Sequence, residues 1–130
     1  MLGTQTHLPW VGRWLMAVAA IHFAFGIVMF FEPLGQLLRQ GWLGGLETEP
    51  LWAAVAWFML FSAPLLLAGL AVRTLERAGL ALPAAMGWVL LSLAALGIAF
   101  MPASGFYLLI PPALAILHAT RSRRVQRIGA

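Results

Sequence analysis

The chain alternates long apolar runs with short polar joints. Residues 14–31, 51–72, 83–101 and 105–120 are nearly free of ionisable side chains. A hydrocarbon core takes about 17–25 residues of helix, so the four runs predict four transmembrane spans in an all-α bundle. The fourth is the shortest. It gains length if Ser104 caps it and Thr120 continues it, since Pro102-Ala103-Ser104-Gly105 has room only for a tight turn. The first run is too long for a signal-peptide core and is followed by Phe31-Glu32-Pro33, so it is expected to be retained.

The one long joint has its own periodicity. Leu34, Leu37, Leu38 and Trp42 fall at i, i+3, i+4 and i+8, opposite Gln36, Arg39 and Gln40. This predicts an amphipathic helix over 34–43 lying in the outer interface and ended by Gly44-Gly45. Thr48-Glu49-Pro50 then starts span 2 with a cap, an acid and a first-turn proline. On the other side, Gly79 and Pro83 mark a helix stop and restart.

Composition agrees with the pattern. Of 130 residues 62% are hydrophobic and 9% charged, where a soluble domain has about a quarter charged. A water-soluble monomer of this size cannot cover itself with so few charges. Absence of cysteine removes disulfides, zinc–thiolate sites, iron–sulfur clusters and thiol nucleophiles.

The eight arginines set the orientation. Arg13, Arg73, Arg77, Arg121, Arg123, Arg124 and Arg127 fall on one side of the predicted spans and Arg39 alone on the other. The positive-inside rule then puts both termini in the cytoplasm. Arg73, Arg77 and the four arginines of a basic tail at 121–130 read as a cytoplasmic anchor, and no nucleic-acid partner is expected. Glu32, Arg39 and Tyr107 become polar markers of the outer boundary, with Glu32 and Arg39 as a candidate pair. Trp10, Trp14 and Trp88 fall near inner ends, Trp42 and Trp52 near outer ones. With every charge at or beyond a span end, no buried ion pair or carboxylate relay is expected within the spans.

A weak internal repeat is present. Offsetting span 2 by 48 residues onto span 4 aligns Phe58 with Phe106, Leu60 with Leu108, Pro64 with Pro112, Leu66 with Leu114, Ala71 with Ala119 and Arg73 with Arg121. Spans 1 and 3 share Gly26-Ile27 and Gly97-Ile98. The repeat suggests two related helical hairpins. It also pairs the prolines, Pro64 against Pro111-Pro112, each of which frees a carbonyl one turn back and is expected to kink its helix and open a wedge.

Two ionisable side chains lie within the spans, His22 and His118. An intramembrane ionisable group is a functional candidate by default. His22 is roughly 13 Å past Arg13, whereas His118 is roughly 4–5 Å before Arg121, so the two cannot clasp one haem within a chain. His118 fits the cytoplasmic interface. His22 has two readings: an imidazole bonded across to Ser62, Ser92 or a kink carbonyl as a packing device, or the polar anchor of a bound molecule. Phe23, Phe25, Phe30, Phe31, Phe58 and Phe61 would give that molecule an apolar lining. The candidate ligand residues are therefore His22, Phe25, Gly26, Phe58, Ser62, Pro64 and Pro112. No metal ligand set and no catalytic set emerge, and the methionines suit packing better than copper.

His22-Phe23-Ala24-Phe25-Gly26, Trp57-Phe58 and Pro102-Ala103-Ser104-Gly105-Phe106-Tyr107 together resemble the small uncharacterised bacterial four-helix membrane proteins, and more loosely the DoxX-like proteins. The resemblance implies an inner-membrane address and no settled activity. Three functions follow as expectations. The first is a self-associating protein or small subunit of a membrane complex that binds a lipid, isoprenoid or quinone near His22. The second is an oligomeric transporter, although His22 stands where a small multidrug exporter has its glutamate. The third is a redox protein holding haem through His22; the sequence otherwise leaves any cofactor open.

Overall fold

A computed structural model describes residues 9–40 and 50–128. They form five α-helices, with no strand among the described residues: α1 (Val11–Met29), α2 (Phe31–Gln40), α3 (Pro50–Arg77), α4 (Ala84–Phe100) and α5 (Ile110–Ile128), the last preceded by a 3₁₀ turn at Gly105–Leu109. Two of them, α1 with 19 residues and α3 with 28, are long and apolar enough to cross a membrane. α4 is apolar but shorter, at 17 residues.

Most boundaries follow from local chemistry. α1 gives way at Phe30, whose amide bonds the Gly26 carbonyl, and α2 starts at once with Pro33 in its first turn. The amphipathic helix thus begins three residues before the predicted 34. Leu37 is buried and Leu34 half-buried as its stripe requires, but Leu38 is exposed. Trp42, Gly44-Gly45, Thr48 and Glu49 lie outside the described residues. α3 starts at Pro50 and runs to Arg77, five residues past the predicted end. Its stop is Gly79, whose positive φ of 68° lets the Gly79 and Leu80 amides return to the Glu76 and Leu75 carbonyls. Hydropathy ends at Val72; the helix ends where the glycine permits.

Three expectations need correction. Ser104 does not cap α5: its hydroxyl makes no cap bond and is enclosed without a partner. The basic tail is helical through Ile128, continuous with span 4. Pro111 and Pro112 do not kink a mid-helix either; they sit in the first turn of α5, where a missing N–H costs least. α3 carries Pro64 on an exposed side and stays helical through it.

The helices pair as two antiparallel hairpins, α1 with α3 and α4 with α5. The first closes along a seam of small residues spaced by sevens, Gly12, Ala19 and Gly26 on α1, facing Val55, Ser62 and Gly69 on α3. A Cβ on Gly12 would stand 2.5 Å from the Arg73 amide nitrogen, and one on Gly69 would stand 2.8 Å from that of Met16, so both helices use glycine to approach. The second hairpin repeats the device. Phe106 covers Gly97 as Phe58, together with Met59, covers Gly26, and Leu117 fills the space over Gly87 as Met16 does over Gly69.

The hairpins do not stand in register side by side. Val11, Leu15 and Val18 from the first turns of α1 share one buried cluster with Val72, Leu82, Ala94, Leu109 and Ile116. The Trp14 indole N–H donates to the Leu108 carbonyl at 2.8 Å. Proline explains that bond: Leu108 would be served by the amide of residue 111 or 112, and both are proline. The start of α5 is thereby level with the start of α1. In an aligned four-span bundle these two points would lie on opposite faces of the membrane.

Candidate functional site

The polar content of the first hairpin lies on its seam. His22, Gly26 and Phe30 follow one another at i, i+4 and i+8 on α1, and the Phe58 ring settles over Gly26 between the other two. The His22 ring stacks on Phe58, with centroids 4.1 Å apart and 23° between planes, and meets Phe61 edge-on at 5.9 Å. Phe30 meets Phe58 edge-on at 5.2 Å. His22 Nε2 lies 3.0 Å from the Phe58 carbonyl oxygen.

That partner sets the tautomer. A carbonyl only accepts, so Nε2 carries the proton, and in the neutral ring Nδ1 is left as an acceptor. Nδ1 has no partner among the described residues, and it is not one of the enclosed orphan atoms, so it opens at the surface of the hairpin. Ser62, by contrast, is buried and its hydroxyl has no partner. Ser62 follows Phe58 by one turn of α3, and its hydroxyl makes no bond to His22. Ser92, the other predicted partner of His22, is exposed on α4.

The model of a family of unknown function, DUF6463, matches residues 6–123. The chain belongs to that family. The match runs from the N-terminal approach to α1 into the arginines of α5, so the DUF6463 region takes in the first hairpin and the second up to Arg123. No curated protein and no solved structure matches the chain.

Within this DUF6463 chain the predicted ligand residues separate. His22, Gly26, Phe58 and Ser62 come together. Phe25 makes no ring contact with them and is 54% exposed. Pro64 faces outward on α3, and Pro112 is buried in the second hairpin, where its turn meets Trp14. Glu32 and Arg39 do pair, at 4.0 Å along α2, with Gln36 also donating to Glu32; both ions are 73% exposed, so the pair adds little stability. Tyr107 is exposed beside Leu108, level with Trp14, and so at the opposite end of α1 from Glu32. Arg77, Arg121, Arg124 and His118 are exposed, and Arg123 donates to the Ala119 carbonyl of its own helix. Arg127 lies in α5, with its side chain outside the described residues.

Sequence reasoning missed Glu76. Trp10 gives α1 no side-chain cap, and Glu76 supplies one from α3: its Oε1 accepts the Val11 amide at 2.8 Å and the Gly12 amide at 3.3 Å. The Glu76 side chain is 3% exposed, with Arg73 Nη1 at 3.8 Å, while Arg73 also donates to the Pro9 carbonyl at 2.9 Å. Glu76 thus stands in a half-buried ion pair just beyond the apolar run, outside the predicted span 51–72. Its signal was spacing, since Glu76 continues the series Val55, Ser62, Gly69 by one more seven.

Proposed function

We propose that this protein is an integral membrane protein of the bacterial inner membrane that binds an apolar small molecule, of lipid, isoprenoid or quinone type, at the His22 seam. The observation that carries the reading is His22 itself, a half-buried imidazole on a span-length helix with one nitrogen bonded across the hairpin and the other open. Around it Phe23, Phe25, Phe61 and Trp57 are exposed, an apolar surface that lipid or a guest would cover. The arginine distribution supports cytoplasmic termini, and the amphipathic α2 supports an interfacial position on the other side. In this arrangement α1 and α3 cross the membrane as the first hairpin, and the exposed apolar faces suit assembly with further copies or a larger complex.

Mass spectrometry of solvent extracts from purified protein tests the reading. The wild type is expected to carry a defined apolar compound in near-stoichiometric amount, and His22→Leu to lose it while remaining helical. Bulk phospholipid alone in both preparations would contradict it.

A further inference from the structure

Resting on that reading, the geometry points to a narrower ligand class: we propose that the His22–Ser62 turn takes the hydroxyl end of an apolar alcohol and selects it over the matching ether, ester or ketone. Donor and acceptor inventory carries the argument. The Nε2 proton is consumed by the Phe58 carbonyl at 3.0 Å. Nδ1 therefore offers a lone pair and no proton, which a hydroxyl hydrogen satisfies and an ether or ketone oxygen cannot. The second polar atom on this turn, Ser62 Oγ, is enclosed without a partner in a residue 8% exposed, so the open acceptor that meets the guest is Nδ1. In surroundings of Phe58 and Phe61 rings an unmatched acceptor pair is costly, so the discrimination is strong relative to the size of the group.

The second hairpin serves as an internal control. Under the offset that superposes Gly26 on Gly97, His22 falls on Leu93; under the 48-residue offset, Ser62 falls on Ile110. Both are half-buried against the apolar cluster. A glycine–phenylalanine hairpin of this chain thus closes without either polar group, so closure is not what requires them.

The test uses the full chain in phosphatidylcholine nanodiscs, with farnesol and farnesyl methyl ether as probes and ¹⁵N-histidine spectra as a readout besides affinity. Farnesol is expected to bind about tenfold more tightly than the ether and to move the His22 Nδ1 resonance, which the ether leaves in place. His22→Gln, whose amide can both donate to Phe58 and accept from the guest, keeps the preference; His22→Leu, checked for helicity, loses it. Equal binding of the two probes overturns the selectivity and leaves the apolar site standing. Binding of neither overturns both. A free-protein spectrum showing the proton on Nδ1 overturns the proposal without any ligand.

Discussion

In both hairpins a phenylalanine ring closes over a glycine near the end of the first helix, Phe58 on Gly26 and Phe106 on Gly97. Nearer the other end each has a large side chain over a glycine, with the roles exchanged: Met16 of α1 over Gly69 of α3, Leu117 of α5 over Gly87 of α4. The steric plan is shared and the polar content is not. The first hairpin adds His22, Ser62 and Glu76 to its seam, where the corresponding residues of the second are Leu93, Ile110 and Arg124, the last exposed. Close packing in a membrane is achieved by small residues alone. The difference between the hairpins therefore isolates what the polar residues contribute beyond closure: Glu76 fastens an uncapped helix end, and His22 is the proposed binding point, one seam with Ser62.

The largest effect concerns how the hairpins are offset. The chain has no cysteine, so single cysteines report position cleanly. With an impermeant maleimide added outside intact cells, Leu38→Cys is expected to react and Tyr107→Cys to remain unlabelled, because the Trp14–Leu108 bond holds Tyr107 at the other end of α1 from α2. Labelling of both from outside would restore an aligned four-span bundle and break the stagger.

Next in size is the cap. Glu76→Ala leaves the Val11 and Gly12 amides and the Arg73 guanidinium without their carboxylate. It is expected to destabilise the purified protein by on the order of 3 kcal/mol. Arg124→Ala, the matching change in the second hairpin, should shift stability by under about 0.5 kcal/mol, being exposed. Equal losses in thermal unfolding would remove the contrast.

How much of this was legible in the sequence depends on which interactions are local. The amphipathic period placed α2 to within three residues, Pro50 opened α3, and Gly79 with Pro83 gave the joint to α4. Those signals act within one or two turns. The seam was not legible, because α1 carries small residues on two faces. Ala17, Ala20 and Ala24 are as suitable for packing as Gly12, Ala19 and Gly26, yet they are exposed. Only the partner helix decides between such stripes. Glu76 was hidden because hydropathy drops at Arg73 while the helix continues. Trp14 read as an interfacial anchor, and its bond to Leu108 needed Pro111-Pro112 and a helix 94 residues away to be considered together. At the candidate site, His22, Gly26, Phe58 and Ser62, chosen from residue type and depth, lie on one seam, while Phe25 is exposed at its edge.

The most direct test converts the first hairpin to the apolar character of the second. The double variant His22→Leu/Ser62→Ala removes one hydrogen bond to a carbonyl that sits in a helical ladder and one hydroxyl that has no partner. Its unfolding free energy is predicted to change by less than about 1 kcal/mol, while the preference for farnesol over its methyl ether disappears. A loss of stability as large as that of Glu76→Ala, with the farnesol preference intact, would show that His22 and Ser62 hold the hairpin together and would contradict the account.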